Sequence, residues 1–419
     1  MDSLPSEIAL YIIQFAKLFR TEVFDSFIYL FFGLLLGEAK YGTVRASVFA
    51  PPGYQPQRLS DLFCRHKFSP QAFMARLVEV VLGYLYARRL PERLFWIADS
   101  THTEKPYAEQ VSSLGWFHRT KRVAGRGKKL KGHCYVFAAH LYQHTCGKLT
   151  RWASVLVGAL LYVKGRTIPA LVADLAKQLR LPEGVRHCWI VDRGILSRGL
   201  VRELRALKQY VLGRVRCNQV VYFAPEQEET GGRKRIFGAK CRMDELRTRF
   251  GDRLRRHEMK LRVWGRERTV YVYETVVLLR GVERGQGVEA RSLVITVPGL
   301  KKLKPWYLVT TDVELDPVKA VEAYGGRSQI EVNFDEVKEL GLGHYQGRSG
   351  QGVRRWPLFL AAVQTLLKLI ATNILPVDLP TLNWSWYPRE DTVGQVRRRL
   401  IEHCRPRLSR IKEVAATSK

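Results

Sequence analysis

Paired cysteine motifs and long uncharged apolar runs are both missing from this 419-residue chain. The seven cysteines are dispersed, and no two of them have the C-x-x-C spacing of a zinc or redox site. Such a set predicts reduced thiols in a cytosolic protein. The most apolar stretch, residues 27–36, is too short to span a bilayer. The N-terminus also lacks the basic region of a signal peptide, so we expect a soluble, cytoplasmic protein.

Acidic residues are scarce relative to basic ones. The chain has 39 Asp and Glu against 69 Lys and Arg, which gives a formal net charge of +30. This excess favours a polyanionic partner, and nucleic acid is the usual one. A ribosome-like structural role and an anionic membrane surface are the alternatives. The hydrophobic fraction of 46% is ordinary for a folded protein, so the charge does not indicate a disordered chain.

The first 90 residues have helical periodicity, interrupted by a break at residues 51–53. We expect a helical N-terminal domain that binds DNA. Ser69 is placed to cap a helix that begins at Pro70. Residues 59–86 fit either a helix-turn-helix or a plain helical bundle, and the pattern does not separate the two.

Residues 91–216 change to a strand-rich texture. An apolar strand over 94–98 ends at Asp99, and a polar, basic stretch follows from Ser100 to Gly132. The next predicted elements are strands 134–142 and 152–163, helix 168–180, strand 187–191 ending at Asp192, helix 197–209 and strand 210–215. This order predicts a mixed α/β sheet, of which a ribonuclease-H-like core is one example.

The second half of the chain is predicted to interrupt and then complete this core. Residues 217–305 have the pattern of a β-rich insertion dense in arginine, for which we favour DNA backbone contact over a merely solvated face. Residues 306–375 return to the core, with a strand at 306–311, a long helix at 317–340 and another at 352–371. Residues 376–419 form a basic C-terminal tail. The arginines of the insertion are Arg242, Arg247, Arg249, Arg253, Arg255, Arg256, Arg262, Arg266 and Arg268.

Two acids, Asp99 and Asp192, each follow an apolar strand directly. Strand ends are where open α/β sheets place ligand sites, although one such Asp alone is more often a turn or helix cap. Phosphodiester chemistry gives acids a reason to converge, because two magnesium ions held by carboxylates clamp the attacking and leaving oxygens. Carboxylates that repel one another would make such a site metal-dependent.

A third acid lies in a helical segment with a polar face. Tyr324, Arg327, Glu331 and Lys338 recur there at spacings of three, four and seven residues. A solvated ion-pair helix and a metal carboxylate flanked by phosphate-binding groups fit these residue types about equally. Gly325 and Gly326 are costly in a helix interior, so the helix is expected to begin near Arg327.

The spacing Tyr-x2-Arg-x3-Glu-x6-Lys resembles the YREK signature of bacterial insertion-sequence DDE transposases. Asp99 within residues 97–101 and Asp192 within 191–194 resemble that group's first and second acids. The resemblance covers roughly residues 90–375. It implies a ribonuclease-H-like core that cuts and joins DNA with Mg²⁺, for which Mn²⁺ substitutes.

The resemblance also implies residue roles. Asp99, Asp192 and Glu331 would be the catalytic metal ligands, and the signature selects Glu331 over Asp335 one turn later. Tyr324, Arg327 and Lys338 would hold DNA phosphates. Trp306 resembles a tryptophan that stacks on a flipped base, with a core aromatic as the alternative. Further DNA contacts are expected from the residue after Asp192 and from a basic loop: Arg193, Lys128, Lys129 and Lys131.

The sequence therefore predicts a prokaryotic DNA transposase, nucleoid-associated when bound, that acts on terminal inverted repeats and target double-stranded DNA. A homodimer in the synaptic complex is expected, with no membrane partner. A DNA-binding derivative such as a repressor and a metal-dependent endonuclease without strand transfer are the alternatives. His133, His140 and His344 are interpreted as structural or phosphate-contacting, since two-metal chemistry needs no side-chain base.

Overall fold

We describe the protein from a computed structural model. The structure describes residues 5–37, 50, 53–55, 57–118, 128–146, 149–225, 236–263, 266–283, 285–300, 303–345, 347–380 and 392–404. The basic loop predicted before β3 lies partly outside these residues, as does most of the C-terminal tail.

Within the described residues, twelve strands form one mixed sheet. They are β1 (Arg93–Glu104), β2 (Gly115–His118), β3 (Lys129–Cys146), β4 (Leu149–Leu161), β5 (Arg186–Val191), β6 (Tyr210–Arg214), β7 (Val220–Tyr222), β8 (Lys240–Arg242), β9 (Arg255–Val263), β10 (Arg266–Arg280), β11 (Gly287–Thr296) and β12 (Trp306–Thr310). The order is β2-β3-β1-β5-β6-β12-β11-β10-β7-β8, with β4 beside β3 and β9 beside β10. Together with helices at both ends, this is the expected mixed α/β architecture, consistent with a ribonuclease-H-like fold.

The centre of the sheet is parallel. Strand β1 pairs with β5, and β5 with β6, all in the same direction. Trp96, Ile97, Trp189 and Ile190 are fully buried, as expected for parallel strands covered on both faces. The β1–β5 ladder ends at Ala98 opposite Val191. The next residue of each strand is an aspartate, so the register brings Asp99 and Asp192 to one edge of the sheet.

Strand β1 does not end at Asp99, as the sequence predicted. It continues to Glu104, and beyond Ala98 it pairs only with β3, in antiparallel register from Asp99–Phe137 to Glu104–Gly132. The residues after Asp99 are polar, so the sequence pattern did not predict this extension of β1. Thr101 and Thr103 are buried on alternate positions, and β-branched threonine suits a half-buried strand.

The predicted β-rich insertion extends the main sheet. Strands β7 to β11 lie within it, and β11 joins the core by pairing with β12. A second, smaller hydrophobic cluster around Val221, Met243, Leu246 and Val277 packs beneath these strands. Several arginines of the insertion already have partners: Arg242 binds Asp244 and Arg249 binds Glu245.

The principal helices are α1 (Ser6–Ile13), α2 (Thr21–Leu36), α3 (Gln57–Cys64), α4 (Pro70–Leu85), α5 (Ile168–Gln178), α6 (Arg198–Ala206), α7 (Pro317–Gly326), α8 (Gln329–Glu339), α9 (Gly350–Ala371) and α10 (residues 393–404). As predicted, the Ser69 hydroxyl caps the helix that begins at Pro70, accepting from the Ala72 N–H at 3.2 Å. One hydrophobic cluster joins the N-terminal helices, the central strands and α9. None of the described helices is long and apolar enough to cross a membrane.

The predicted helix over 317–340 is two helices. Helix α7 ends at Gly326 and α8 begins at Gln329, with Arg327 and Ser328 between them. The expected start of a helix near Arg327 is thus close to the observed start of α8. The glycine pair lies at the end of α7, and a Cβ on Gly326 would lie 3.1 Å from Leu141 and 3.2 Å from Trp152. The close approach to β3 and β4 explains the glycine at this position.

Candidate active site

Asp99 occupies the point where the parallel part of the sheet ends. Its Oδ1 accepts a hydrogen bond from the Ser100 N–H at 2.7 Å, and its side chain is 22% exposed. Burial raises the pKa of Asp99, and the nearby Asp192 and Glu331 carboxylates add to the rise, while the Ser100 N–H and Arg327 oppose it. The three acids are therefore within electrostatic range of one another.

Arg327 lies between two of these acids. Its Nη1 donates to Asp99 Oδ2 at 3.0 Å, and its Nη2 donates to Glu331 Oε1 at 3.2 Å. The guanidinium side chain is 18% exposed, whereas Glu331 is 62% exposed. The turn between α7 and α8 places Arg327 one helical turn before Glu331, which lets one planar group contact both carboxylates.

The groups around Arg327 favour its protonated, positively charged form. Burial lowers its pKa, but Tyr324, Asp99, Asp192 and Glu331 together raise the pKa of Arg327 above its ordinary value. Burial raises the pKa of Tyr324 to about 12, with Arg327 and Arg214 opposing the rise. The phenol is therefore neutral near pH 7 and keeps its proton as a hydrogen-bond donor.

Glu331 and Asp335 differ in their contacts. Glu331 pairs with Arg327 and thereby joins the Asp99 group. Asp335, one turn later on α8, is exposed and has no ion pair within the described part of the chain. This geometry agrees with the choice of Glu331 from the sequence, although the catalytic role of either acid stays a prediction.

The carboxylates do not form a ready-made metal cage. Among the described residues, no three His, Cys, Asp or Glu side chains are grouped closely enough to hold an ion. The guanidinium of Arg327 instead bridges Asp99 and Glu331. The donor atoms themselves are carboxylate oxygens, the ligand type that Mg²⁺ prefers.

The other residues predicted to contact DNA come from three separate parts of the chain. Arg193 follows Asp192 directly and is exposed, and Lys338 is exposed on α8, where its charge helps lower the pKa of His102 after the larger effect of burial. Lys128, Lys129 and Lys131 lie at the start of β3, where Lys129 and Lys131 pair with β2. No ion pair ties these lysines to the Asp99 group in the described part of the chain.

Trp306 is not a core aromatic. It begins β12 and is 36% exposed. Strand β12 runs antiparallel to β6, with Leu308 opposite Arg214, so Trp306 lies at the same edge of the sheet as Asp99 and Asp192. An exposed indole at this edge is available for stacking, and base stacking stays a prediction.

Two of the histidines, His133 and His140, are buried and form hydrogen bonds within the fold. His133 Nε2 bonds to the Ser112 carbonyl at 2.9 Å. His140 is fully buried and bonds to Tyr86 Oη at 2.9 Å and to the Phe95 carbonyl at 3.0 Å. These contacts occupy both imidazole nitrogens of His140, so it has no free nitrogen for proton transfer.

Arg214 was missed by sequence reasoning. It is exposed and ends β6, at the edge of the sheet where Asp99 and Asp192 lie, and its charge lowers the pKa of Tyr324. The signal was available, since β6 was predicted and the ends of parallel strands share one edge.

The mixed sheet, its helices at both ends and the acids at the edge of its parallel strands define an α/β protein with a ribonuclease-H-like core. The family model described as Transposase DDE domain matches residues 97–366. The chain belongs to this transposase family. No curated protein matches it.

Proposed function

We propose that the protein is a DNA transposase of the insertion-sequence group with the Tyr-x2-Arg-x3-Glu-x6-Lys signature. It binds terminal inverted repeats, cleaves at the element ends and joins them to target DNA. The observation that carries the proposal is the bridge from Asp99 through Arg327 to Glu331, at the edge of the sheet where Asp192 also lies. Three elements far apart in the chain thus meet at one edge, within the region matched by the transposase family.

Asp99, Asp192 and Glu331 would hold the divalent ions. Their oxygen-only chemistry suits Mg²⁺ and Mn²⁺. The mutual repulsion that helps raise the pKa of Asp99 is relieved by a cation, and Arg327 supplies that positive charge in the DNA-free protein. When bound, two Mg²⁺ ions supply Lewis acidity at the scissile phosphate.

Tyr324, Arg327 and Lys338 would bind the phosphates next to the cleavage point. The neutral Tyr324 phenol donates one hydrogen bond, and the Arg327 fork matches a phosphate with two. A phosphate would compete with the carboxylates for the same guanidinium nitrogens. Binding of the DNA backbone would therefore release Asp99 and Glu331 from Arg327.

The reaction would be tested on DNA that carries the inverted repeats flanking the gene, with Mg²⁺ and a target duplex. Nicking plus joining of the ends supports the transposase. Binding alone would identify a DNA-binding derivative. Cleavage without joining would identify a nuclease. A synaptic complex with two protomers is expected on gel filtration.

The acids would be tested by matched amide substitutions. We expect Asp99→Asn, Asp192→Asn and Glu331→Gln each to abolish cleavage while leaving DNA binding intact. Asp335→Asn is the control, since it makes the same charge change one helical turn from Glu331. If Asp192→Asn cleaves at the wild-type rate, or if the control alone is inactive, the assignment of the acids fails.

A further inference from the structure

An arginine-lined groove of about 470 Å³ adjoins the proposed site. Helix α6 forms one wall, the β6–β7 connection forms the floor, and the end of β10 with the following turn forms the other wall. Seven arginines line it, and all seven are exposed. No Asp or Glu is among the lining residues of the described structure.

On α6, the arginines that line the groove lie on one side of the helix, apart from the helix's one acidic residue. Arg198, Arg202 and Arg205 lie at i, i+4 and i+7, on one side of the helix. Leu200, Val201 and Leu204 are buried, so the helix is anchored by its apolar side. The one acid of this helix, Glu203, is outside the groove lining and pairs with Lys177 at 2.8 Å. Arg202 also contacts Glu203, whereas Arg198 and Arg205 have no ion pair in the described part of the chain.

The β6–β7 connection and the end of β10 add three more arginines. Arg214 and Arg216 flank the buried Val215, and Arg280 ends β10. Arg193, the seventh, follows Asp192 directly, and Arg214 is close enough to Tyr324 to lower its pKa. The groove is therefore continuous with the edge of the sheet that carries the proposed site.

We propose that this groove binds the sugar-phosphate backbone of DNA beyond the cleaved phosphate, as a second DNA contact separate from Tyr324, Arg327 and Lys338. Guanidinium groups match phosphate geometry. The arginine row of α6 covers about 10 Å, close to three base-pair steps of one strand. The proposal rests on the proposed function, because it takes DNA as the substrate.

The test compares two double charge reversals. Arg205→Glu with Arg280→Glu alters both walls of the groove, and neither arginine forms an ion pair with another residue that the structure describes. Arg88→Glu with Arg89→Glu is the matched control, with the same charge change at exposed positions before β1, at the opposite edge of the sheet. Binding of a fluorescein-labelled random-sequence duplex would be measured by anisotropy over a range of KCl concentrations.

We expect the groove variant to lose at least about tenfold in affinity, and its slope of log affinity against log salt to fall by about 2. The control should remain close to wild type in both quantities. Equal losses in the two variants would show a general effect of net charge and overturn the proposal. Unchanged DNA binding in the groove variant would also overturn the proposal. If that variant also lost self-association, the groove would be assigned to a protein partner.

The proposal that the groove binds DNA and the proposed function can fail independently of each other. The groove is tested by binding alone, whereas the proposed function is tested by cleavage and joining at element ends. Circular dichroism of both variants confirms folding, and a single reversal, Arg198→Glu, repeats the test if the double variant does not fold. A wild-type protein that binds DNA without cutting it would contradict the transposase and leave the groove standing.

Discussion

Arg327 is the side chain on which the proposed site depends most directly. Its two terminal nitrogens contact carboxylates from β1 and α8, which lie 228 and four residues away in the chain. A lysine at this position would keep the charge but lose the fork, because an ammonium is a single compact donor.

Arg327→Lys is therefore expected to slow cleavage of bound DNA by about tenfold or more, since one bidentate contact is lost. Single-turnover cleavage at saturating DNA measures this effect. Arg354→Lys, a change at an exposed position on α9, should cleave at the wild-type rate. A wild-type rate in Arg327→Lys would contradict a phosphate-binding fork.

His140 predicts a pH dependence of stability. Burial lowers its pKa to about 3, outweighing the hydrogen bond to the Phe95 carbonyl, whereas in the unfolded chain it titrates near 6.5. Between these values the unfolded chain binds a proton that the folded chain does not. This contribution to stability is complete above about pH 6.5 and is lost as the pH falls, by about 1.4 kcal/mol per unit.

The measurement is urea unfolding of the wild type and of His140→Gln between pH 7 and pH 5. Other groups titrate in both proteins, so the difference between them isolates His140. We expect the wild type to lose more stability than the variant over this range. Parallel pH curves for the two proteins would contradict a buried neutral imidazole.

At the scale of elements, α7 ends in two adjacent glycines with different surroundings, just before its break from α8. A Cβ on Gly325 would meet nothing within 4 Å, whereas on Gly326 it would press against Leu141 and Trp152. Gly325→Ala should therefore stabilise the protein by about 0.5–1 kcal/mol through helix propensity. Gly326→Ala should be less stable than Gly325→Ala by about 1 kcal/mol or more, because the Leu141 and Trp152 side chains must move to admit the added methyl group.

Urea unfolding of the two alanine variants tests this contrast, and each serves as the control for the other. If the two have equal stability, α7 does not pack closely on β3 and β4. The same pair bears on the site, since Gly326 immediately precedes Arg327. A displaced α7 in Gly326→Ala should also reduce cleavage, whereas Gly325→Ala should cleave normally.

At the scale of the whole molecule, Arg355 connects the N-terminal helices to the core. From the N-terminal part of α9 it donates to the carbonyls of Leu62, Phe63 and Phe68, at 3.3, 2.8 and 3.3 Å. Its guanidinium also lies 4.2 Å from the centre of the Phe68 ring. One buried cation thus satisfies the end of α3 and the turn before α4 together.

Arg355→Leu leaves three buried carbonyls without their donor and should cost about 3 kcal/mol of unfolding free energy. Denaturant unfolding followed by far-ultraviolet circular dichroism measures the loss. Arg354→Leu, on the exposed side of the same helix, is the control and should change stability little. A small effect of Arg355→Leu would mean that the N-terminal helices are held by apolar packing alone.

Much of the fold was accessible from the sequence because its elements have strong local patterns. The strand before Asp192, the helix at Pro70 with its Ser69 cap and the long apolar helix near residues 350–371 were predicted within a few residues. The errors lie where local pattern and tertiary contact disagree. The extension of β1 past Asp99 depends on pairing with β3, and the close approach of Gly326 to Leu141 and Trp152 depends on how α7 packs against β3 and β4.

The candidate site shows the same division between what the local sequence pattern predicts and what tertiary contacts decide. The sequence by itself determined the mixed α/β class and the basic character, and its resemblance to the transposase signature selected Asp99, Asp192 and Glu331 as the predicted acids, with Tyr324, Arg327 and Lys338 beside them. It could not show that Arg327 bridges Asp99 and Glu331, because that bridge depends on where α7 and α8 pack against β1.

Asp312 shows what only the tertiary structure decided. Like Asp99 and Asp192, it closely follows an apolar strand, yet it is buried and paired with Arg93 at 2.6 Å. Strand β12 is antiparallel to β6, so its end lies at the opposite edge of the sheet, beside the starts of β1 and β5. A sequence gives the order of strands but not their direction in the sheet. That direction separates the acids at the site from the acid that holds the fold together.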